Sequence, residues 1–309
     1  MKKHIKSILP QPIKTAYHAV FRLFFRLINK LSPELATKLL HYKTTGKWIN
    51  LKNPKDFNEK LQWLKLNEDQ ALKSVCADKY AVYQYIEKNY DSSILNKLIA
   101  GYGKPSDIEW DKLPDKFAMK CNHGCGYNIV TKNKKELDRN KVTKQMNKWL
   151  GEKYGQKLLE PHYDLIEPKI IVEEYIESRV DLFPLDYKIY CFNGVAKLVL
   201  VCSEREESLK LDFFDLEWNR LSVGHKEDES TKIIEKPACF DEMVRHAEAL
   251  SQPFTFVRVD FYDKDGVPLL GELTFTPAAN MATYYNDCGL DFLGNMMDLK
   301  IPNNKISLY

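Results

Sequence analysis

The dipeptide Asn193-Gly194 lies between two alternating runs, "DYKIYCF" and "VAKLVLV", and it constrains the fold more than any other feature. Asn-Gly flanked by period-two runs predicts a two-residue hairpin turn, because both turn residues must take positive φ. Antiparallel pairing of the flanking runs follows. Further on, "DEMVRHAEAL" reads as a helix, and "FTFVRVDFYDKDGVPLLGELTFTPAAN" as a second, longer hairpin. Between them and the first hairpin, "LDFFDLEWNRL" supplies another short strand and turn. From Pro184 on, the pattern is an antiparallel-rich unit with one helix, so the chain belongs to the α+β class.

The first third reads differently. Residues 33–100 are mostly helical: "SPEL" offers an N-cap, a proline at the first helical position and a glutamate in the first turn. "DFNEKLQWLKLN" and "CADKYAVYQYIEKNY" carry apolar residues at helical spacing. The turn formers of "GYGKPSDIEWDKLPDK" mark a boundary near 101–115. Beyond it come a strand over Phe117–Asn122, a glycine tip, a strand over Tyr127–Thr131, a helix near 134–150, and the apolar strand "KIIVEEYI". The sequence holds no internal repeat and no low-complexity tract.

Charge is distributed unevenly. Residues 1–50 carry ten Lys/Arg and one acid, Glu34, while the whole chain has a net charge of only +3. Within that basic head, "TAYHAVFRLFFRLINKL" sets His18, Arg22, Arg26 and Lys30 on one helical stripe. Tyr17, Val20, Phe21, Phe24, Leu27, Ile28 and Leu31 lie opposite. Such a helix either lies on an anionic membrane surface through residues 1–31 or packs on the body with its cations in water. Nucleic acid is not the expected partner, because the aromatic residues share the apolar face instead of interleaving with the cations. Lys14, Arg22 and Arg26 interrupt any signal-peptide core, and no run approaches the ~20 apolar residues of a membrane span. The seven cysteines form no C-x-x-C pair and read as reduced thiols, so a cytoplasmic location is expected, at the inner face of the membrane if the head helix binds lipid.

Three stretches carry chemical potential. In the long hairpin, a three-residue loop closed by Gly266 pairs Asp263 with Val267 and sets Arg258 across from Glu272. Arg258, Asp260, Glu272 and Thr274 then share one face, and Val257, Val259, Leu273 and Phe275 the other. Two carboxylates on rigid strands suit a hard divalent cation such as Mg²⁺ shared with nucleotide phosphates. An Arg258–Glu272 ion pair on a solvated face satisfies the same spacing.

The second stretch is "KFAMKCNHGCGYNIVTK". It lacks the Lys-Ser/Thr and following helix of a P-loop, and the third glycine of a dinucleotide fingerprint. What remains is either a plain turn or a loop whose amides fold over an anion, with Lys120 as a point charge one strand position away. Cys121, His123 and Cys125 invite a zinc reading, but no fourth ligand accompanies them. The third is "IIVEEYIESRVDLFPLDYKIY", where Glu173-Glu174, a linker, and then Asp186 and Lys188 make a hinge against which a purine can lie. Asp263 and Asp265 spell the D-x-D of sugar-nucleotide glycosyltransferases, though alternation on both sides favours turn chemistry. Asp78-Lys79 reads as a surface pair on a helix.

Taken in order, "FAMKCNHGCG", "IIVEEYI", "DYKIYCFNG", "VRVDFYDKDG" and "GELTFTP" resemble the ATP-grasp superfamily, and within it the teichuronopeptide-biosynthesis (TupA-like) branch. The resemblance spans roughly 50–290 and leaves the basic head outside. It implies two α+β subdomains gripping ATP behind a helical N-terminal region. Residues 1–50 would be the basic segment and 51–115 a helical subdomain. Residues 116–178 would form the lid with the glycine loop, and 179–309 the C-terminal subdomain with the Mg²⁺-binding hairpin. Lys120 would contact the α/β-phosphates, with His123, Gly124, Cys125 and Gly126 closing over the triphosphate. Glu173 would face the adenine amino group, Glu174 and Ile176 would supply backbone contacts, and Asp186 would sit near the ribose. Asp260 and Glu272 would hold Mg²⁺, Lys188 would lie near the phosphates, and Arg258 would stabilise the acyl-phosphate centre. Thr274 stands where many relatives have a metal-binding Asn, and Arg220 or Lys188 would take the place of a γ-phosphate lysine.

The activity implied is ligation: ATP converts a carboxylate to an acylphosphate, and an amine displaces phosphate to give an amide. The resemblance points to a sugar acid of a surface or capsular polysaccharide as the carboxylate and to an amino acid as the amine. The rival readings are a glycosyltransferase using a nucleotide sugar with Asp263/Asp265, a sugar kinase on the same ATP site, and an inactive binding module.

Overall fold

The computed structural model describes residues 11–177, 184–205 and 208–299, without the side chains of residues 11–19 and 22. Five helices open the chain: α1 (Gln11–Leu31), α2 (Pro33–Thr45), α3 (Phe57–Asn67), α4 (Ala71–Ala77) and α5 (Ala81–Asn89). Their ends are where the sequence puts them. Ser32 accepts the Leu35 N–H at 3.2 Å with Pro33 in the first turn, and Asp56 accepts the Glu59 N–H at 2.9 Å.

Two antiparallel sheets follow. The smaller contains β1 (Leu98–Tyr102), β2 (Phe117–Cys121), β3 (Asn128–Thr131) and β4 (Ile170–Glu174) in the order β1-β4-β2-β3, backed by α6 (Arg139–Leu150). Strand β1 lies within the stretch read as helix and loop; it pairs with β4 along Tyr102↔Ile170 and Leu98↔Glu173. The larger contains β5 (Asp186–Phe192), β6 (Val195–Ser203), β7 (Lys210–Phe214), β8 (Arg220–Leu221), β9 (Phe256–Lys264) and β10 (Val267–Thr274), in the order β10-β9-β5-β6-β7-β8. Asn193 and Gly194 have φ of 50° and 82°, the two left-handed residues expected between β5 and β6.

Both faces of the larger sheet are covered. Ile189, Val199, Val201, Val257, Val259 and Leu273 pack under α7 (Phe240–Ser251) and α5. The opposite face is apolar only at one end, where Tyr190, Phe192 and Phe256 meet Phe57 and Leu61 of α3 and Leu293 of α8 (Asp287–Asn295). At the other end the same alternation brings Asp186, Lys188, Arg258 and Asp260 to that face. A single strand such as β5 thus runs from aromatic core to charge cluster.

The long hairpin corrects the expected register. Its turn has two residues, Asp265 and Gly266, both left-handed (φ 57° and 84°), and Pro268 pairs with Asp263 rather than lying beyond a three-residue loop. Pro268 is tolerated because β10 is an edge strand. A bulge between Leu270 and Glu272 then shifts the pairing by one, so that Glu272 faces Asp260 and Thr274 faces Arg258. The two face sets survive; the individual partners change.

Helix α1 packs on the body, yet not with its whole apolar side. Phe25 is buried, and Phe21 and Ile28 lie against Ala36, Leu40 and Met281. Val20, Leu23, Phe24, Leu27 and Leu31 remain exposed, Val20 by 68% and Leu31 by 87%. The expected stripe divides between core and solvent. Among the described residues, no helix is long and apolar enough to cross a membrane.

Candidate active site

The facing carboxylates Asp260 and Glu272 anchor the site. Arg258 donates from Nε and Nη2 to the two oxygens of Asp260 at 2.7 and 2.6 Å, a bidentate pair. Its Nη2 also donates to Thr274 Oγ1 at 3.1 Å and lies 3.6 Å from Glu272. Thr274 in turn donates to Glu272 at 2.9 Å. Lys188, beside Asp260 on the next strand, reaches Asp260 at 2.6 Å and Asp186 at 2.5 Å. Arg205 donates to Asp186 from beyond β6. The solvated-face alternative fails, because Arg258 and Asp260 are buried and Glu272 is three-quarters covered.

A residue outside the predicted set completes the ring. Lys79 lies 3.4 Å from Glu272 and donates to the Gly124 carbonyl at 2.9 Å. Asp78 and Lys79 are therefore not a surface pair on a helix. They occupy the junction between α4 and α5, where Asp78 accepts from Asn122 at 2.8 Å at the base of the glycine loop. Nothing in the local sequence separates Lys79 from the chain's other lysines, since its partners are brought to it only by the fold. Arg205 was missed for the same reason.

Four cations thus face three carboxylates: Lys79, Lys188, Arg205 and Arg258 against Asp186, Asp260 and Glu272. Burial raises Glu272, but Lys79, Lys188, Arg258 and the Thr274 hydroxyl outweigh it and hold the carboxyl at about 2. Burial also disfavours the charge on Lys188, yet Asp186 and Asp260 raise it above an ordinary lysine. The excess of positive charge suits an anionic ligand.

Above this face hangs the glycine loop. Lys120 and the 124–126 tip border a cavity of about 180 Å³ together with Lys79, Lys188, Asp260 and Glu272. A second cavity, of about 110 Å³, shares Lys120 and Asn128 with the first and continues to Glu173, Glu174 and Ile176 at the end of β4. Lys120 donates to Glu173 at 2.5 Å, and Tyr83 donates to the other oxygen of Glu173 at 3.0 Å. Lys264 pairs with Glu174 at 2.8 Å, tying the long hairpin to the hinge. Residues 178–183 of the linker lie outside the described set. Gly124 packs so closely that a Cβ there would sit 2.6 Å from the Tyr154 ring, and Gly126 has φ of 75°.

Cys121, His123 and Cys125 point apart. Cys121 is buried against Met146, His123 Nε2 meets the Trp149 carbonyl at 3.1 Å, and Cys125 borders the cavity. Of the two candidates for a γ-phosphate cation, Lys188 borders the cavity, while Arg220 pairs with Asp212 at 2.8 Å and donates to the Ser230 carbonyl at 3.1 Å. Asp263 accepts the Gly266 N–H at 2.7 Å, so the D-x-D pair is engaged in turn formation.

A family model described as TupA-like ATPgrasp matches residues 59–298. No curated protein matches the chain. Among solved structures, the chain is similar to D-alanine–D-alanine ligase from Bacillus anthracis, at 19% identity and a TM-score of 0.43, over 72% of this chain and 66% of that one. It is also similar to the ATP-grasp ligase PsnB complexed with a minimal precursor, at 12% identity and a TM-score of 0.39, over 77% and 66%. D-cycloserine synthetase DcsG matches at 13% identity and a TM-score of 0.37, over 72% and 69%. The chain spans just under two thirds of the first two structures.

Proposed function

The chain belongs to the TupA-like ATP-grasp family, and from that premise we propose that it is an ATP-dependent carboxylate–amine ligase. The observation that carries this reading is the opposition of Asp260 and Glu272 across one hairpin, beneath Lys120, Lys188 and the glycine loop, in a single cavity. The adjoining cavity at Glu173, Glu174 and Ile176 takes the adenine, with Asp186 near the ribose. Lys120 and the amides of 123–126 bind the α/β-phosphates, and Lys188 the γ-phosphate.

The donor set fits Mg²⁺: two carboxylates at fixed separation, one of them anionic far below neutral pH, beside a phosphate pocket. Asp260 and Glu272 would hold the ion, with Thr274 orienting Glu272. Bound there, Mg²⁺ neutralises charge on the phosphate oxygens. Arg258, pinned by Asp260, presents its remaining charge to the acyl-phosphate centre. The γ-phosphoryl passes to the substrate carboxylate with departure of ADP. The amine then attacks the acyl carbon, phosphate leaves, and the amine proton is lost. The family resemblance supports a sugar acid of a surface polysaccharide as the carboxylate and an amino acid as the amine. The exposed stripe of α1, beside Arg26 and Lys30, supports a peripheral contact with an anionic membrane.

The test is ATP turnover with product analysis. Glu272→Gln abolishes turnover, while Asp263→Asn and Asp265→Asn retain it and affect only the turn. Inactive turn variants beside an active Glu272→Gln would overturn the ligase reading, as would release of a nucleoside diphosphate from a nucleotide sugar.

A further inference from the structure

A cleft of about 350 Å³, larger than the cavities of the nucleotide region, opens between α1, α2, the end of α3 and the 155–164 stretch. Its volume falls in the range of small-molecule sites. Lys65 lines it, is only 6% exposed, and its ammonium makes no hydrogen bond or ion pair among the described residues. Burial lowers the Lys65 ammonium to about 7, with only the field of Glu160 opposing it, and an ammonium so covered without a hydrogen-bonded partner is costly. Thr37 lines the same cleft at 1% exposure, and its hydroxyl oxygen has no partner. Two unsatisfied polar groups, both more than nine-tenths buried, thus border one space.

The acids of the cleft are committed elsewhere or set apart. Glu68 pairs with Lys73 at 2.6 Å and accepts from Thr255 at 2.5 Å. Glu160 accepts from Thr276 at 2.6 Å, and burial pushes its carboxyl up to about 7 against the pull of that bond and of the Lys65 field. Asp164 stands on the exposed side, within the field of Arg26. Arg26 and Lys30 of α1 also line the cleft and have no carboxylate within ion-pair distance among the described residues. Thr276 lies two residues past Thr274, so its bond to Glu160 joins the cleft wall to the end of the Asp260–Glu272 hairpin.

We propose that this cleft binds an anionic oxygen group, a carboxylate or a phosphate, with Lys65 as its counter-ion, Thr37 as a hydroxyl donor and Arg26 and Lys30 drawing it in. That this anion belongs to the substrate being ligated rests on the ligase reading; that an anion binds does not. Such a ligand meets the ammonium, accepts the orphaned hydroxyl proton, and leaves Glu160 with its threonine. A cationic ligand would leave Lys65 without a partner and add to the charge of Arg26 and Lys30.

The experiment titrates the full chain with inorganic phosphate and, separately, with glucuronate, each with and without saturating Mg²⁺·ADP, by calorimetry. At least one anion is expected to bind with ADP present, and Lys65→Met to weaken that binding about tenfold or more, the loss of one charge-assisted contact. The probe that binds identifies the source of the anion. Methionine keeps the stem of Lys65 and removes only its buried charge; Arg26→Gln, at an exposed position, is the second variant and is expected to weaken binding about threefold. Binding that disappears when ADP is present, or that both variants retain in full, overturns the proposal, as does the failure of both anions to bind the native chain. Failure of ADP itself to bind counts against the ligase reading alone, because the Lys65 and Arg26 comparisons stand without it.

Discussion

Glu272→Gln tests whether the site is organised around a buried anion, and stability reports this independently of any substrate. The substitution keeps the side-chain shape and deletes one negative charge from among three cations. Lys79 lies 3.4 Å from one carboxyl oxygen and Arg258 3.6 Å from the other, and Lys188 adds its field. Burial works against the charge, and together these groups set the carboxyl at about 2. Measured against an ordinary glutamate near ~4.3, that displacement is equivalent to about 3 kcal/mol. The side chain is 24% exposed, so screening by water trims this to about 2–3 kcal/mol. The folded value lies below the unfolded one, so this contribution is complete above pH ~4.3 and disappears as pH falls toward about 2. Urea denaturation at pH 7 should therefore find the variant about 2–3 kcal/mol less stable, with the gap narrowing to roughly half at pH 3. A gap that stays constant from pH 7 to pH 3, or a variant as stable as the parent at pH 7, would refute the electrostatic argument.

Three further outcomes follow from separate contacts. Gly124→Ala forces the loop away from Tyr154, since the new Cβ would stand 2.6 Å from its ring; calorimetric affinity for Mg²⁺·ADP should fall by roughly 5- to 150-fold, the equivalent of about 1–3 kcal/mol of overpacking. Gly266→Ala places a Cβ at φ of 84° and should lower stability by about 1–2 kcal/mol in denaturant titrations, with the nucleotide affinity little changed. Leu23→Glu with Leu27→Glu puts two charges on the exposed stripe of α1; cosedimentation with vesicles rich in phosphatidylserine should drop to the level seen with neutral vesicles.

Much of the fold was legible because it rests on local signals. Asn193-Gly194 announced its own turn, Ser32 and Asp56 their own caps, and the strict alternation of "FVRVDF" its two faces. The unread parts depend on what the rest of the chain brings near. Strand β1 is short and half-exposed, with Gly101 pressed against Tyr80, and only its pairing with β4 makes it a strand. Phe25 falls between the predicted polar and apolar stripes of α1, yet it is the residue that anchors the helix, because the body covers one flank of the apolar side and leaves the rest in solvent. Lys79 meets Glu272 only after the α4–α5 junction has been placed over the hairpin.

The hairpin shows how a correct grouping can rest on an incorrect register. Directly opposed residues of an antiparallel pair share a face, so a shift of one position exchanges the two faces. The observed turn pairs Pro268 with Asp263; carried on without interruption, that register would set Glu272 across from Val259, on the face packed under α7. Its carboxylate would then lie in the apolar core, with Leu273 and Phe275 turned toward the charges. The bulge at Gly271 adds the one residue that restores Glu272 to Asp260. A three-residue loop without a bulge has the same parity, which is why the expected face sets hold although neither the turn nor the partners do. The position resists a larger side chain, since a Cβ on Gly271 would stand 3.1 Å from the Tyr262 ring and 3.2 Å from the Asp260 carbonyl. One glycine in an edge strand therefore decides whether the second carboxylate belongs to the site or to the core.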